Sequence, residues 1–306
     1  MELDSFFVAV EDAGLRLDQM LAGRFPVYSR TYFQHLIEDG FVLLNGEKVK
    51  KRVTPEEGDE IEICFQALPG SSIAPEEIPL SILFEDEHLL AIDKPVGMVV
   101  HPAPGHWSGT FVNALLFYCQ GVVPGDDPLR PGIVHRLDKE KSGVLIAAKT
   151  TAAHQRLIEM FAARKIEKTY LAICNGRPPN GTIHAPIGRH PVHRKEMAVL
   201  SDGREAITEI QMLACNDAHS LVLVRPKTGR THQIRVHLKH IHCPVVGDEV
   251  YGSGTRAAER HLLHAYRLVF DHPVHGNKIQ ITAPIPDDFK GWMKKLCGPS
   301  LCASAI

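Results

Sequence analysis

The stretch Gly132-Ile133-Val134-His135-Arg136-Leu137-Asp138-Lys139-Glu140-Lys141-Ser142-Gly143-Val144-Leu145-Ile146-Ala147-Ala148-Lys149 sets two apolar runs on either side of a short charged loop. Ile133–Leu137 and Gly143–Lys149 have the length and β-branched content of buried strands. A loop held between two such strands is a fixed platform for a reactive side chain. The segment Asp138–Ser142 also fits a plain solvated turn, and composition alone does not separate the two.

Working outward, further β-type runs fall at Ile82–Phe84, Leu89–Asp93, Lys168–Cys174, Glu205–Leu213, Ser220–Val224 and Lys278–Thr282. Helical patterning is confined to Phe111–Cys119 and to a segment capped by Thr151 that runs through Ala163, with Leu157, Met160 and Phe161 inward. Strands outnumber helices and do not alternate with them regularly. This predicts an α+β fold with a mainly antiparallel or mixed central sheet flanked by helices, not a doubly wound one.

Upstream lies a smaller unit. Arg16–Phe25 reads as one helix, and Ser29 is a suitable N-cap for a second whose Phe33, Leu36 and Ile37 share a face. Gly40 is placed to end that helix, and Asn45-Gly46 is the strongest short hairpin signal in the chain. Ile61, Ile63 and Phe65 alternate as a half-buried strand does. The stretch Gln66–Pro79, with Pro69, Gly70, two serines, Pro75 and Pro79, has linker composition. The expected organisation is a small αα-β domain over residues 14–65, a linker over 66–79 and a larger domain over 80–306.

At 306 residues, 44% hydrophobic and 23% charged, the chain is long enough for two ordinary globular domains. The net charge of -2 gives no bulk attraction for a polyanion, so a nucleic-acid site must come from local clusters. Seven cysteines, scattered and never spaced C-x-x-C, argue against a disulfide framework or zinc ribbon and point to a reducing, cytoplasmic setting. No Walker loop, serine elbow or H-E-x-x-H pattern is present. Arg225–His242 carries Arg225, Lys227, Arg230, Arg235, Lys239 and four histidines without one acid. Such a stretch suits phosphate contact, although a solvated basic face has the same composition. Its histidines with Cys243 lack a recognised metal spacing, so no metal is expected. Arg164, Lys165 and Lys168 form a lesser cluster before Tyr170, a tyrosine suited either to base stacking or to a strand core.

These residues carry a resemblance. His135-Arg136-Leu137-Asp138 with Ser142-Gly143 is similar to the H-R-L-D-x-x-x-S-G signature of the RluA-type pseudouridine synthases. Further blocks agree in order: Lys94-Pro95-Val96-Gly97 with Val100-His101-Pro102, Lys168-Thr169-Tyr170, Thr228–His237, His242-Cys243-Pro244 with Gly247-Asp248 and Tyr251-Gly252, and His264-Ala265. Arg16-Leu17-Asp18, Ser29-Arg30 and Val42–Gly46 resemble the S4 RNA-binding domain. The match covers nearly all of the chain except the tail after about Pro286.

The resemblance implies cofactor-free isomerisation of uridine to pseudouridine in RNA, with large-subunit (23S) ribosomal RNA as the expected partner. It assigns Asp138 to the sugar, Arg235 as the cation paired with Asp138, and Tyr170 to the target base. Arg136, beside His135, fills the gap left by the flipped nucleotide. Arg16, Arg30, Lys48, Lys50, Arg230, His232 and Gln233 are the expected RNA contacts. One position departs from the family pattern: Lys141 stands where Thr is usual, adding a charge near Asp138. A non-catalytic RNA-binding or ribosome-assembly factor is the rival reading, and it accounts for the S4-like unit but not for Asp138, Tyr170 and Arg235 together.

Overall fold

Asn45 and Gly46 both take positive φ, 52° and 77°, as a two-residue hairpin loop requires. They join β2 (Val42–Leu44) to β3 (Glu47–Lys48) in the first of two units of the computed structural model. The structure describes residues 2–26, 28, 30–65, 73–102, 106–121, 123–125, 130–193, 196–252 and 257–297. The expected Ser29 cap and the first half of the expected linker, residues 66–72, lie outside these.

The first unit opens with β1 (Glu2–Phe7), followed by α1 (Leu17–Arg24) and α2 (Arg30–Asp39), and closes with β4 (Glu60–Phe65). Its sheet runs β1-β4-β2-β3, and each pair is antiparallel. Leu17, Met20 and Leu21 of α1 and Phe33, Leu36 and Ile37 of α2 are buried against Ile61 and Ile63. Full burial of such a side chain is worth about 1.5–3 kcal/mol. Strand β1 was not expected from the sequence. It is an edge strand whose Leu3 and Phe7 face outward, so the usual apolar alternation points the wrong way.

The second unit is built on a nine-stranded sheet. Its strands are β5 (Ile82–Glu85), β6 (Leu89–Lys94), β7 (Ser142–Ala148), β8 (Glu167–Asn175), β9 (Gly181–His184), β12 (Ile207–Cys215), β13 (His219–Pro226), β14 (Leu263–Asp271) and β15 (Lys278–Thr282). The order is β5-β6-β7-β14-β8-β13-β12-β9, with β15 added to β14. All pairs are antiparallel except β7 with β14, which makes the sheet mixed. A separate two-stranded ribbon joins β10 (Ile187–Arg189) to β11 (Met197–Val199).

Residues alternating along the strands sort to two faces. On one face Leu90, Ile92, Leu145, Tyr170, Ala172 and Val222 pack with Phe111 and Leu115 of α3 (Phe111–Tyr118) and Ile234 and Leu238 of α5 (Gln233–His240). On the other, Leu89, Val144 and Ile146 pack with Ala153 and Leu157 of α4 (Thr151–Ala162). Leu171, Leu221 and Leu223 pack there with Phe289 and Met293 of α6 (Asp287–Cys297). Helix α4 is capped by Thr150, not Thr151: the Thr150 hydroxyl accepts the Ala153 N–H. Before β5, Glu76 accepts the Gly109 N–H on both carboxylate oxygens.

Of the two strands expected around Asp138, only β7 forms. Residues 133–137 run beside it with a single bridge, Ile133 to Ala147. The physical reason is local. The Ile146 N–H donates to His135 Nε2 at 3.0 Å, so an imidazole takes the place of the carbonyl that a neighbouring strand would supply. At the head of β7, Gly143 takes φ +111°, and a Cβ there would lie 2.2 Å from the Ala265 carbonyl oxygen. The close approach of β7 to β14 therefore requires glycine.

Candidate active site

The loop after Leu137 is tied down from below. Lys94, at the end of β6, is fully buried and donates to the carbonyls of Pro95, Met98 and Lys139 at 2.7, 3.0 and 3.1 Å. Burial pulls its ammonium down to about 7, while the nearby Glu140 and Asp138 oppose that fall. The Gly97 N–H also donates to Lys139, so the Lys-Pro-Val-Gly turn and the Asp138 loop are stitched through one carbonyl. Neither strand pairing nor hydrophobicity signals this contact in the sequence.

Above that support Asp138 lines a cavity of about 610 Å³ bounded by residues 134–136, the end of α4, Tyr170 of β8 and the segment 226–234 that leads into α5. Lys141 Nζ stands 3.3 Å from Asp138 Oδ2, and Arg235 Nη1 stands 3.9 Å from the same oxygen. His232 Nε2 lies 4.0 Å from Oδ1. Oδ2 is nonetheless buried and accepts no hydrogen bond among the described residues. Burial alone would raise this carboxyl, but Lys141 first, then Arg235 and, in acid where they are protonated, His232 and His261 hold it well below the usual carboxylate range. It is therefore ionised at neutral pH, with Oδ2 turned to the cations and Oδ1 on the other side.

Arg235 is expected to pair with Asp138, and it does approach it. Its tighter partner is Asp248, which accepts from Nε at 2.6 Å and from Nη2 at 2.8 Å. Asp248 Oδ1 also accepts the N–H groups of Val250 and Tyr251, so a rigid turn fixes the guanidinium. Tyr170 is buried on β8 at the cavity wall, and burial together with Asp138 pushes its hydroxyl well above the ordinary tyrosine range. It stays a neutral phenol. Lys141 Nζ lies 5.5 Å from the centroid of its ring.

The remaining expected site residues divide sharply. Arg136 is exposed at the cavity wall and makes no hydrogen bond or ion pair among the described residues. His135 also lines the cavity, but its ring is engaged within the fold. Burial pushes its imidazole down to about 3, and the neutral ring accepts from Ile146 while stacking on Phe161 at 4.7 Å. Arg230 lines the cavity, with Nε donating to the Glu205 carbonyl at 2.9 Å. His232 also lines it, with Nδ1 2.9 Å from the Tyr251 hydroxyl. Gln233 is buried and internally satisfied: it accepts from Thr228 Oγ1 and the Arg230 N–H, and donates to Ile207 O and Thr208 Oγ1. His237 is likewise closed, with its ring nitrogens on Thr208 and Ala185. Among the described residues no cluster of His, Cys, Asp or Glu is arranged to hold a metal ion.

In the first unit, Arg16 and Arg30 both donate to Asp18, a fully buried carboxylate that also accepts from Gln34. Lys48 and Lys50 are exposed. The sequence did not single out Arg204, which with Arg164, Lys168 and Lys227 makes the cavity wall basic although the whole chain is slightly acidic. Only spatial assembly reveals that wall, because its cations come from separate elements.

An ionised, under-bonded carboxylate in a basic cavity beside a buried tyrosine defines a site for chemistry on a polyanion. The family comparison says the same. Residues 88–240 match the model for RNA pseudouridylate synthase, and residues 15–61 match that for the S4 domain. The chain belongs to the RNA pseudouridylate synthase family and is an RNA pseudouridine synthase preceded by an S4 domain. It is 42% identical over 96% of its length to "Ribosomal large subunit pseudouridine synthase D" of Xanthomonas campestris, covering 92% of that protein. It is 41% identical to the protein of the same name from Pseudomonas aeruginosa, over 94% of each. Among solved structures, "Human RNA Pseudouridylate Synthase Domain Containing 4" superposes with a TM-score of 0.57 at 25% identity, covering 71% of this chain and 93% of that one.

Proposed function

We propose that this enzyme isomerises uridines of large-subunit ribosomal RNA in the cytoplasm, with Asp138 as the carboxylate that acts on the ribose. The observation that carries the reading is Asp138 itself: ionised, largely enclosed, and held by cations without a hydrogen bond to Oδ2 among the described residues. A carboxylate acting at a sugar carbon must be ionised and not locked into a hydrogen-bonded ion pair, and the oxygen turned away from Lys141 and Arg235 is Oδ1. The C1′–N1 bond breaks, the uracil turns, and C5 bonds to C1′. C5 then gives up its proton and N1 gains one, so atoms and electrons balance without a cofactor.

In this scheme Tyr170 lies beneath the base as a neutral phenol, and Arg235, fixed by Asp248, holds the carboxylate in register. Arg136, without a partner among the described residues, is free to stack in the gap left by the flipped nucleotide, offsetting an unstacking cost of a few kcal/mol. Arg204, Arg230 and Lys168 meet phosphates. The names of the relatives support the ribosomal substrate. The test is tritium release from [5-³H]uridine-labelled large-subunit RNA. Release without strand cleavage is expected; absence of release from that RNA, with release from another, would move the substrate elsewhere.

A further inference from the structure

Asp138 is faced by charged or titratable groups from several elements. Lys141 on its own loop, Arg235 from α5, His232 at the start of α5, His261 ahead of β14, Tyr170 from β8 and Lys94 from β6 all act on it or feel it. Most of these are not available as a counter-ion at neutral pH. Burial pushes His261 down to about 3 and lowers His232 as well, so both are neutral there. Tyr170 keeps its proton. Lys94 is spent on three carbonyl oxygens. Arg235 is charged, but Asp248 takes two of its N–H groups at 2.6 and 2.8 Å and cancels much of its field at Asp138.

Lys141 is different. It is buried, its Nζ is the cation closest to Asp138 at 3.3 Å, and among the described residues it has no other carboxylate partner. We propose that Lys141 is the principal counter-ion of Asp138, a positioning residue that keeps the reacting carboxylate ionised inside an enclosed site, alongside the Arg235 guanidinium that Asp248 holds in register. The inference rests on the role given to Asp138 under Proposed function. It also gives the one departure from the family pattern a physical meaning: where Thr would offer a neutral hydroxyl, this chain supplies a full positive charge.

The test uses K141T, K141M and K141R in the full-length enzyme. K141M keeps the buried bulk without the charge, so a packing defect confined to K141T is recognised. Two quantities are read: the pH profile of kcat/KM for tritium release, and the carboxyl ¹³C signal of Asp138 in aspartate-labelled protein, identified by its loss in D138N. A counter-ion within about 4 Å moves a carboxyl by about 1–3 pH units. K141T and K141M should therefore shift the acid limb upward by at least about one pH unit and bring the Asp138 titration up with it. K141R should return both toward wild type. A uniform fall in kcat with an unmoved acid limb and carboxyl signal in both charge-free variants overturns the proposal, as does K141R behaving like K141T. If wild-type enzyme releases no tritium, the proposed function fails, and the carboxyl titration alone still decides the role of Lys141.

Discussion

Two aspartates, one fully buried in the first unit and one half-buried in the second, look alike by charge and differ in what their oxygens touch. Asp18 is wholly inaccessible and takes hydrogen bonds from Arg16, Arg30 and Gln34. Asp138 is also hemmed in by cations, at 3.3 and 3.9 Å, yet among the described residues its Oδ2 accepts no hydrogen bond. Both carboxyls are held below the ordinary range against the pull of burial. Charge compensation alone therefore does not mark a reactive group. A carboxylate whose lone pairs are all engaged is a structural clamp; one neutralised at a distance keeps a lone pair for substrate.

The largest expected effect falls where that difference is removed. Asp138→Asn keeps size and removes the charge. Tritium release should fall by at least about 10³-fold, while RNA affinity and the urea midpoint stay near wild type. Turnover within tenfold of wild type would place the chemistry on another group.

Asp248 stands between the two cases, because its partner Arg235 touches both the clamp and the site. Asp248→Asn leaves a buried guanidinium without its tight carboxylate and should cost about 3–5 kcal/mol. Both tryptophans, Trp107 and Trp292, lie in the second unit, so urea unfolding followed by tryptophan fluorescence reports that unit. A loss under about 1 kcal/mol would mean that Arg235 is anchored mainly by other contacts, such as the Tyr251 ring 4.9 Å from its Cζ.

The same contrast explains which parts of the molecule the sequence discloses. The Asn45-Gly46 hairpin, the α2 face and β15 follow from turn chemistry and apolar spacing, and they stand where expected. Helix α5 did not, because Gln233, Arg235 and His237 are buried in it and satisfied by Thr208, Asp248 and Ala185. Reading burial through hydrophobicity fails when polar groups are buried in pairs. Strand β14 hides for a similar reason: His264 sits at zero exposure, its Nδ1 2.9 Å from the Ser142 hydroxyl. At the site, motif order pointed to Asp138, Tyr170 and Arg235, which do converge, but not to the carbonyl cage around Lys94 or to the hydrogen bond His135 accepts from Ile146.

In the first unit the clamp has a pH signature. Burial pushes Asp18 up, but its bonds to Gln34, Arg30 and Arg16 outweigh that and lower its pKa overall. Its contribution to stability is therefore complete above the unfolded aspartate value near 3.9 and is lost as pH falls through the lower folded value. Asp18→Asn should cost about 1.5–3 kcal/mol at pH 7. The gap from wild type should close as acid protonates the native carboxylate. Amide hydrogen exchange in α1 and α2, measured from pH 7 downward, gives the comparison. A gap constant with pH would show that the bonds to Asp18 depend on shape and not on its charge.

The smallest effect separates cations that hold the fold from cations free to meet RNA. Arg16 spends Nε and Nη2 on Asp18 at 3.0 Å each, whereas Lys50 is exposed. A phosphate contact releases counter-ions, so losing one lowers the slope of log affinity against log salt by about 1. Lys50→Ala should show that reduced slope while stability changes by less than about 0.5 kcal/mol. Arg16→Ala should do the reverse, loosening α1 and α2 while the salt slope holds. The distinction matters because both residues are basic, both lie in the S4 unit, and sequence alone ranks them equally as RNA contacts. Equal loss of slope in both variants would mean that the Arg16 guanidinium reaches phosphate through its remaining N–H groups even while bound to Asp18. An unchanged slope in both would shift the RNA-facing side of this unit away from Lys50, toward the exposed Lys48.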